Sequence, residues 1–236
     1  MKKLCALLTI VLLVFTGCKP EMTDTMPSES IHIPSQPTTQ ATTPPVEVSP
    51  LAVQDFLEFE NSSYPRENPV EFVMIHFTSA VMLDRENPYD YDLVRGIFVD
   101  YKLGIHYIID RDGTIYCFLP ESRSAWHAGK GSFSDEKYTD NMNRYSIGIE
   151  LMGIGSKEDM SIYLHPEEYD RLDAELLGFT EEQYTALGNL VQDICQRHEI
   201  TMDRQHIIGH QEYNPAKNDP GELFDWAHFM SILTSK

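Results

Sequence analysis

Pro69-Val70-Glu71-Phe72-Val73-Met74-Ile75-His76-Phe77 is a near-continuous apolar run. An unbroken run of this length reads as a central strand buried on both faces; a half-exposed strand would alternate. It ends in His76 and passes into Thr78-Ser79-Ala80, small residues that suit a loop. A lone histidine at such a strand end reads as a satisfied core residue. A second short run, Ile207-Ile208-Gly209, delivers His210 to its end in the same way, and the pair shifts the balance toward a metal site.

Working outward, Asn143-Arg144-Tyr145-Ser146-Ile147-Gly148-Ile149-Glu150-Leu151 reads as another buried strand. Ile147, Ile149 and Leu151 point one way, so Glu150 shares the opposite face with Gly148. A carboxylate in a central strand is costly unless it is paired or functional. A salt-bridged edge glutamate is the bland alternative. After His210, a proline-containing loop returns Lys217 and Asp219 before Pro220-Gly221. Imidazole and carboxylate are both Zn²⁺ ligands. A lysine beside such a site suits a developing anion better than it suits the fold.

The remaining elements frame these strands. Apolar groups at helical spacing predict a helix over 91–103, stopped by Gly104. Residues 105–119 predict a hairpin around the Asp112-Gly113 turn. Ala125-Trp126-His127-Ala128-Gly129 follows as a glycine-bearing loop, with Trp126 offering a flat face and His127 a donor. Residues 157–178 form a polar insertion with an expected helix over 166–177 and no visible chemistry. Thr180 and Gln183 make a capping-box pattern for an amphipathic helix reaching about residue 198. Cys117 and Cys195 read as buried thiols; pairing is permitted but not deducible. His165, His198, His206 and His228 read as structural or surface residues. There is no repeat, glycine-rich phosphate loop or serine-nucleophile elbow.

Of the 236 residues, not all belong to the fold. Residues 1–18 read as a secretory signal: Lys2 and Lys3, an apolar stretch too short to span a bilayer, then Thr16-Gly17-Cys18. Cys18 after Gly17 resembles a bacterial lipobox, where the cysteine carries lipid; a plain secretory signal is the alternative. Residues 19–50 are rich in Pro, Thr and Ser and read as a disordered linker that reaches up to ~100 Å at about 3.1 Å per residue. Residues 51–236 are enough for one domain with a good core. The net charge of −19 and the absence of a basic stripe argue against a nucleic-acid partner.

Five motifs occur in one order: the strand ending at His76, GIHYIIDRDGTIY (104–116), AWHAG (125–129), NRYSIGIEL (143–151) and GH…K-x-D-P-G (209–221). Together they resemble the zinc N-acetylmuramoyl-L-alanine amidases of the type-2 group, in particular the anhydro-muropeptide branch. The resemblance covers residues 71–226 and implies a single α/β domain, a mixed central sheet flanked by helices with a zinc cleft at one sheet edge. It implies His76, His210 and Asp219 as zinc ligands, Glu150 as the catalytic carboxylate and Lys217 as the cation near the metal. It places His106, Trp126, His127 and Asn143 on the substrate side. Relatives of the phage type carry a catalytic tyrosine where this chain has Ile105, which leaves that role to Glu150. The loop from His210 to Lys217 is one residue shorter than in the anhydro-muropeptide branch. The implied activity is hydrolysis of the amide between N-acetylmuramic acid and L-alanine in peptidoglycan or muropeptides. The protein is expected to be a monomer and, from the reading of residues 1–18, exported and lipid-anchored to a bacterial membrane, facing the cell wall or periplasm. A non-hydrolytic peptidoglycan-binding module and a zinc amidase for a different amide are the alternatives.

Overall fold

The computed structural model describes residues 48–235; the expected signal, with Cys18, and residues 19–47 of the expected linker lie outside them. The described chain runs β1 (Val53–Gln54), β2 (Ser63–Pro65), β3 (Phe72–Thr78), α1 (Tyr91–Asp100), β4 (Tyr107–Ile109), β5 (Ile115–Cys117), β6 (Arg123–Ala125), β7 (Ser146–Met152), α2 (Pro166–Tyr169), α3 (Glu181–His198), β8 (Ile207–Gly209), α4 (His210–Tyr213) and α5 (Trp226–Thr234). Six strands form one sheet in the order β1-β5-β4-β7-β3-β8, and β2 pairs with β6 in a separate ribbon. The β4–β5 hairpin is antiparallel, while β4, β7, β3 and β8 run parallel. The sheet is therefore mixed and flanked by helices, as expected.

The two long strands carry the register. β3 and β7 pair along seven residues, with Met74 beside Gly148 and His76 beside Glu150. On one face, Val73, Ile75, Ile147, Ile149, Leu151 and Ile207 pack with Leu187, Leu190, Val191 and Ile194 of α3 and Phe229 and Leu233 of α5. On the other, Ile108 and Met152 pack with Val94 and Phe98 of α1, and Phe72, Met74 and Ile208 pack with Tyr138 and Tyr213. Side chains alternate along a strand, so His76 and Glu150 emerge together on the face that α3 and α5 leave free.

The capping box of α3 forms as its sequence predicts: Gln183 N–H donates to Thr180 Oγ1 (3.1 Å) and Thr180 N–H to Gln183 Oε1 (3.0 Å). The amide of Gln183 also donates to the carbonyls of Ile109 (3.1 Å) and Met152 (2.9 Å), pinning the helix start to the ends of β4 and β7. Two expectations need correction. The helix predicted over 91–103 ends at Asp100, because Lys102 takes a positive φ of 54°. The helix predicted over 166–177 is one turn, α2; the Asp173 carboxylate accepts from Glu175 N–H and starts a separate 3₁₀ turn instead. Cys117 and Cys195 are buried and unpaired. Burial pushes each thiol up to about 12, so both act as small hydrophobes. Among the described residues no helix is long and apolar enough to cross a membrane.

One buried charge ties the far side together. Glu121, fully enclosed, accepts from Arg197 Nη1 (2.5 Å) and Nη2 (2.7 Å), His198 Nε2 (2.6 Å) and the Tyr107 hydroxyl. Tyr107 in turn accepts from Ser49 N–H (2.9 Å). Burial is the largest single influence and would raise this carboxyl. The hydrogen bonds from Arg197, His198 and Tyr107 outweigh it and bring the pKa from 4.5 down to about 2. A depressed carboxyl stabilises the fold above its unfolded value and loses that contribution as pH falls toward its folded one. Glu121→Gln is expected to cost about 3 kcal/mol at neutral pH. That difference should shrink as pH drops from 4.5 toward 2; urea titrations of both proteins across that range check it, and a pH-independent difference would contradict it.

Candidate metal centre

β3 ends at the sheet position next to the edge strand β8, so His76 and His210 leave neighbouring strands at the same end. The loop after α4 brings Asp219 back between them, with Gln211 N–H donating to the Asp219 carbonyl (3.0 Å). His76 Nδ1 lies 3.0 Å from His210 Nδ1 and 2.8 Å from Asp219 Oδ2, and His210 Nδ1 lies 2.9 Å from the same oxygen. Among the described residues these three form a group whose donor atoms all lie within 4.8 Å of one another.

The outer nitrogens decide what the inner ones can be. His210 Nε2 faces the Ala128 carbonyl at 2.9 Å. A carbonyl only accepts, so that nitrogen carries the proton and Nδ1 does not. His76 Nε2 faces His127 Nδ1 at 2.9 Å, and His127 Nε2 faces Ser146 Oγ at 3.1 Å. Burial above all, with His210 beside it, pushes His76 down to about 4, although Asp219 pulls the other way. Asp219 is held well below the usual carboxylate range: burial alone would raise it, but the two histidines facing it prevail. With His210 Nδ1 unprotonated, that nitrogen and the ionised carboxylate repel one another unless a proton on His76 Nδ1 or a cation lies among them. The donors therefore fit a divalent ion, and two imidazoles with one carboxylate suit zinc in an open, three-ligand site.

Glu150 stands beside His76 in register. Its Oε2 is enclosed without a hydrogen-bond partner in the protein. Burial, then the Asp219 charge, raises its pKa well above the usual value; Lys217 opposes both. Lys217 is exposed and lines a cleft of about 460 Å³ that also borders Asp219. Apolar residues make up most of its other walls, among them Leu83, Tyr101, Ile162 and Tyr163.

The four residues expected on the substrate side divide. Trp126 is exposed at 39%. His127 is half-buried against the strand at Gly148: a Cβ there would lie 2.7 Å from its ring, so only glycine lets the imidazole seat. His106 is wholly buried. Its Nδ1 accepts from Gly148 N–H (3.0 Å) and its Nε2 donates to the Arg123 carbonyl (2.9 Å). It props the strands from below and does not face the cleft. Asn143 Oδ1 accepts from His127 N–H (3.1 Å) and Ala128 N–H (2.8 Å), so that oxygen is already engaged.

The insertion at 157–178, in which sequence reasoning found no chemistry, buttresses the ligand loop. Buried Asp159 accepts from Ser156 N–H (2.9 Å) and Glu222 N–H (3.1 Å), and its carbonyl accepts from the Asn218 amide (3.1 Å). Nothing in the sequence around Asp159 marks that role. Gly221, with φ of 80°, leaves 2.4 Å between the site of a Cβ and Asp159 Oδ2. Gly221→Ala is expected to cost about 1–3 kcal/mol and to weaken metal binding through Asp219; denaturant titration and a chelator competition measure the two effects.

Comparison with known proteins follows the same outline. The sequence profile of a family described as N-acetylmuramoyl-L-alanine amidase matches residues 66–222. The chain is 30% identical over 134 residues to the 1,6-anhydro-N-acetylmuramyl-L-alanine amidase AmpD of Citrobacter freundii, covering 56% of this chain and 58% of that protein. It is 29% identical over 136 residues to AmpD of Escherichia coli K12, covering 57% and 60%. The chain thus spans under two thirds of the length of these curated relatives. A crystal structure of a selenomethionine derivative of AmpD superposes with a TM-score of 0.56 at 24% identity, over 79% of this chain and 97% of that one. The E. coli amidase AmiD, in complex with anhydro-N-acetylmuramic acid-L-Ala-D-gamma-Glu-L-Lys, does so with 0.52 at 24%, over 69% and 57%. These two structures share the fold.

Proposed function

The chain belongs to the N-acetylmuramoyl-L-alanine amidase family, and on that footing we propose that it hydrolyses the amide between N-acetylmuramic acid and L-alanine in peptidoglycan or its released fragments. The observation that carries the proposal is the convergence of donor atoms of His76, His210 and Asp219 within 4.8 Å of one another, beside Glu150 with its enclosed Oε2. His76, His210 and Asp219 would hold zinc, which when bound supplies Lewis-acid polarisation and lowers the pKa of water. Glu150 would take the proton of the attacking water and return it to the leaving amine. Its enclosed, partnerless oxygen and raised pKa suit a group that must hold that proton between the two steps. Lys217, at the cleft mouth, would face the oxyanion of the tetrahedral intermediate, where losing one donor typically costs 10²–10³ in rate. The cleft beside Lys217 would receive the part of the muropeptide flanking the bond. AmiD is described in complex with such a substrate, an anhydromuramyl tripeptide.

Glu150→Gln is expected to keep stoichiometric zinc and lose turnover by at least 10²-fold. His76→Ala is expected to lose the metal. Elemental analysis, together with mass spectrometry of defined muropeptides after incubation, tests both. Full activity in the first variant removes Glu150 from the mechanism, and stoichiometric zinc in the second removes His76 from the ligand set.

We further propose that the protein is exported and anchored by lipid on Cys18, with residues 19–50 spacing the domain from the membrane. The lysine pair, apolar stretch and Gly17-Cys18 junction support this. Incorporation of labelled palmitate in cells should occur in the wild type and vanish in Cys18→Ser.

A further inference from the structure

His127 and Ala128 are adjacent, and each meets one histidine of the metal group from outside. The His127 ring faces His76 Nε2 at 2.9 Å, and the Ala128 carbonyl faces His210 Nε2 at 2.9 Å. Asn143 Oδ1 holds the backbone N–H groups of both residues, at 3.1 Å and 2.8 Å. One two-residue segment therefore reaches both ligands, and one side chain latches it.

The proton pattern follows from donors and acceptors alone. For His76 Nδ1 to present a lone pair inward, its Nε2 must carry the proton and donate to His127 Nδ1. That leaves the His127 proton on Nε2, where it meets Ser146 Oγ at 3.1 Å. Ser146 must then accept, which sends its own hydroxyl proton to the Met142 carbonyl; that carbonyl lies 2.8 Å away. The chain Met142 carbonyl, Ser146, His127, His76 is satisfied in one register only, and that register points a lone pair into the site. Gly148 supports it, because any Cβ there would displace the His127 ring.

We propose that His127, Ala128 and Asn143 form a positioning clamp that sets the tautomer and orientation of both histidine ligands, and that His127 and Asn143 serve the metal and not the substrate. The proposal rests on the metal reading of His76, His210 and Asp219. A partner that orients a ligating histidine typically contributes 10–100-fold in metal affinity.

Zinc affinity of the full chain, measured by competition with a chromophoric chelator, tests the clamp. His127→Phe, which keeps the ring shape and loses the acceptor, is expected to bind zinc 10–100-fold more weakly. His127→Asn, whose Oδ1 falls near the place of the histidine Nδ1 and can accept from His76 Nε2–H, is expected to recover most of that loss; a role in packing alone would not predict the rescue. Asn143→Ala is expected to weaken zinc in the same sense. If His127→Phe binds zinc as the wild type does and instead raises KM for a muropeptide, the clamp is overturned in favour of substrate contact. If the wild type itself binds no zinc, the metal reading fails and the clamp fails with it. Nitrogen-15 NMR of the zinc-loaded wild type needs no variant: a His127 proton on Nε2 supports the clamp, and a proton on Nδ1 overturns it.

Discussion

Two imidazole nitrogens and a carboxylate lie about 3 Å apart, an arrangement that only a shared proton or a cation makes favourable. The Ala128 carbonyl accepts the His210 proton on the outside, and in the proposed clamp His127 accepts that of His76, so neither proton sits between the three. On the proposed metal reading, the surrounding structure commits the site to a cation. Other features follow from that commitment. Gly148 is small because the His127 ring must reach His76. Asn143 is spent on backbone N–H groups because the loop must not drift. Asp159 is buried because the loop returning Asp219 needs a fixed base.

Much of this was legible in the sequence, and the parts that were not share a cause. Alternation along 143–151 placed Glu150 opposite Ile147 and Ile149, and the register bears that out. Thr180 and Gln183 announced the start of α3 through a capping pattern that depends only on local spacing. By contrast, the Ala128 carbonyl has no signature, since every residue carries one. Ser146 and Asn143 looked like parts of a strand motif, and their partners lie 15–19 residues away across a loop. Glu121 meets Arg197 across 76 residues, a pairing that no local pattern foretells. His106 sits in one of the five motifs, and no local pattern foretells that the fold encloses it completely.

The molecule separates its buried charges by task. Glu121 is surrounded by donors, so its carboxyl is driven down and serves the fold. Glu150 is enclosed without them, so its carboxyl is driven up and is suited to carrying a proton. Two glutamates of one type thus acquire opposite properties from their neighbours alone. The insertion at 157–178 likewise belongs to the site side, although its own surface carries no ligand.

The seven-residue pairing of β3 with β7 has a consequence for how this chain can change. Its odd-numbered residues Val73, Ile75, Ile147, Ile149 and Leu151 answer to the packing of α3 and α5, and the opposite face carries His76 and Glu150 beside the smaller clusters of Phe72, Met74 and Met152. Substitutions can drift within each set almost independently. A single inserted or deleted residue in either strand would exchange the two sets at once, sending apolar groups into the cleft and His76 or Glu150 into the core. Changes of length are therefore tolerable only in the connections, such as the 157–178 segment between β7 and α3.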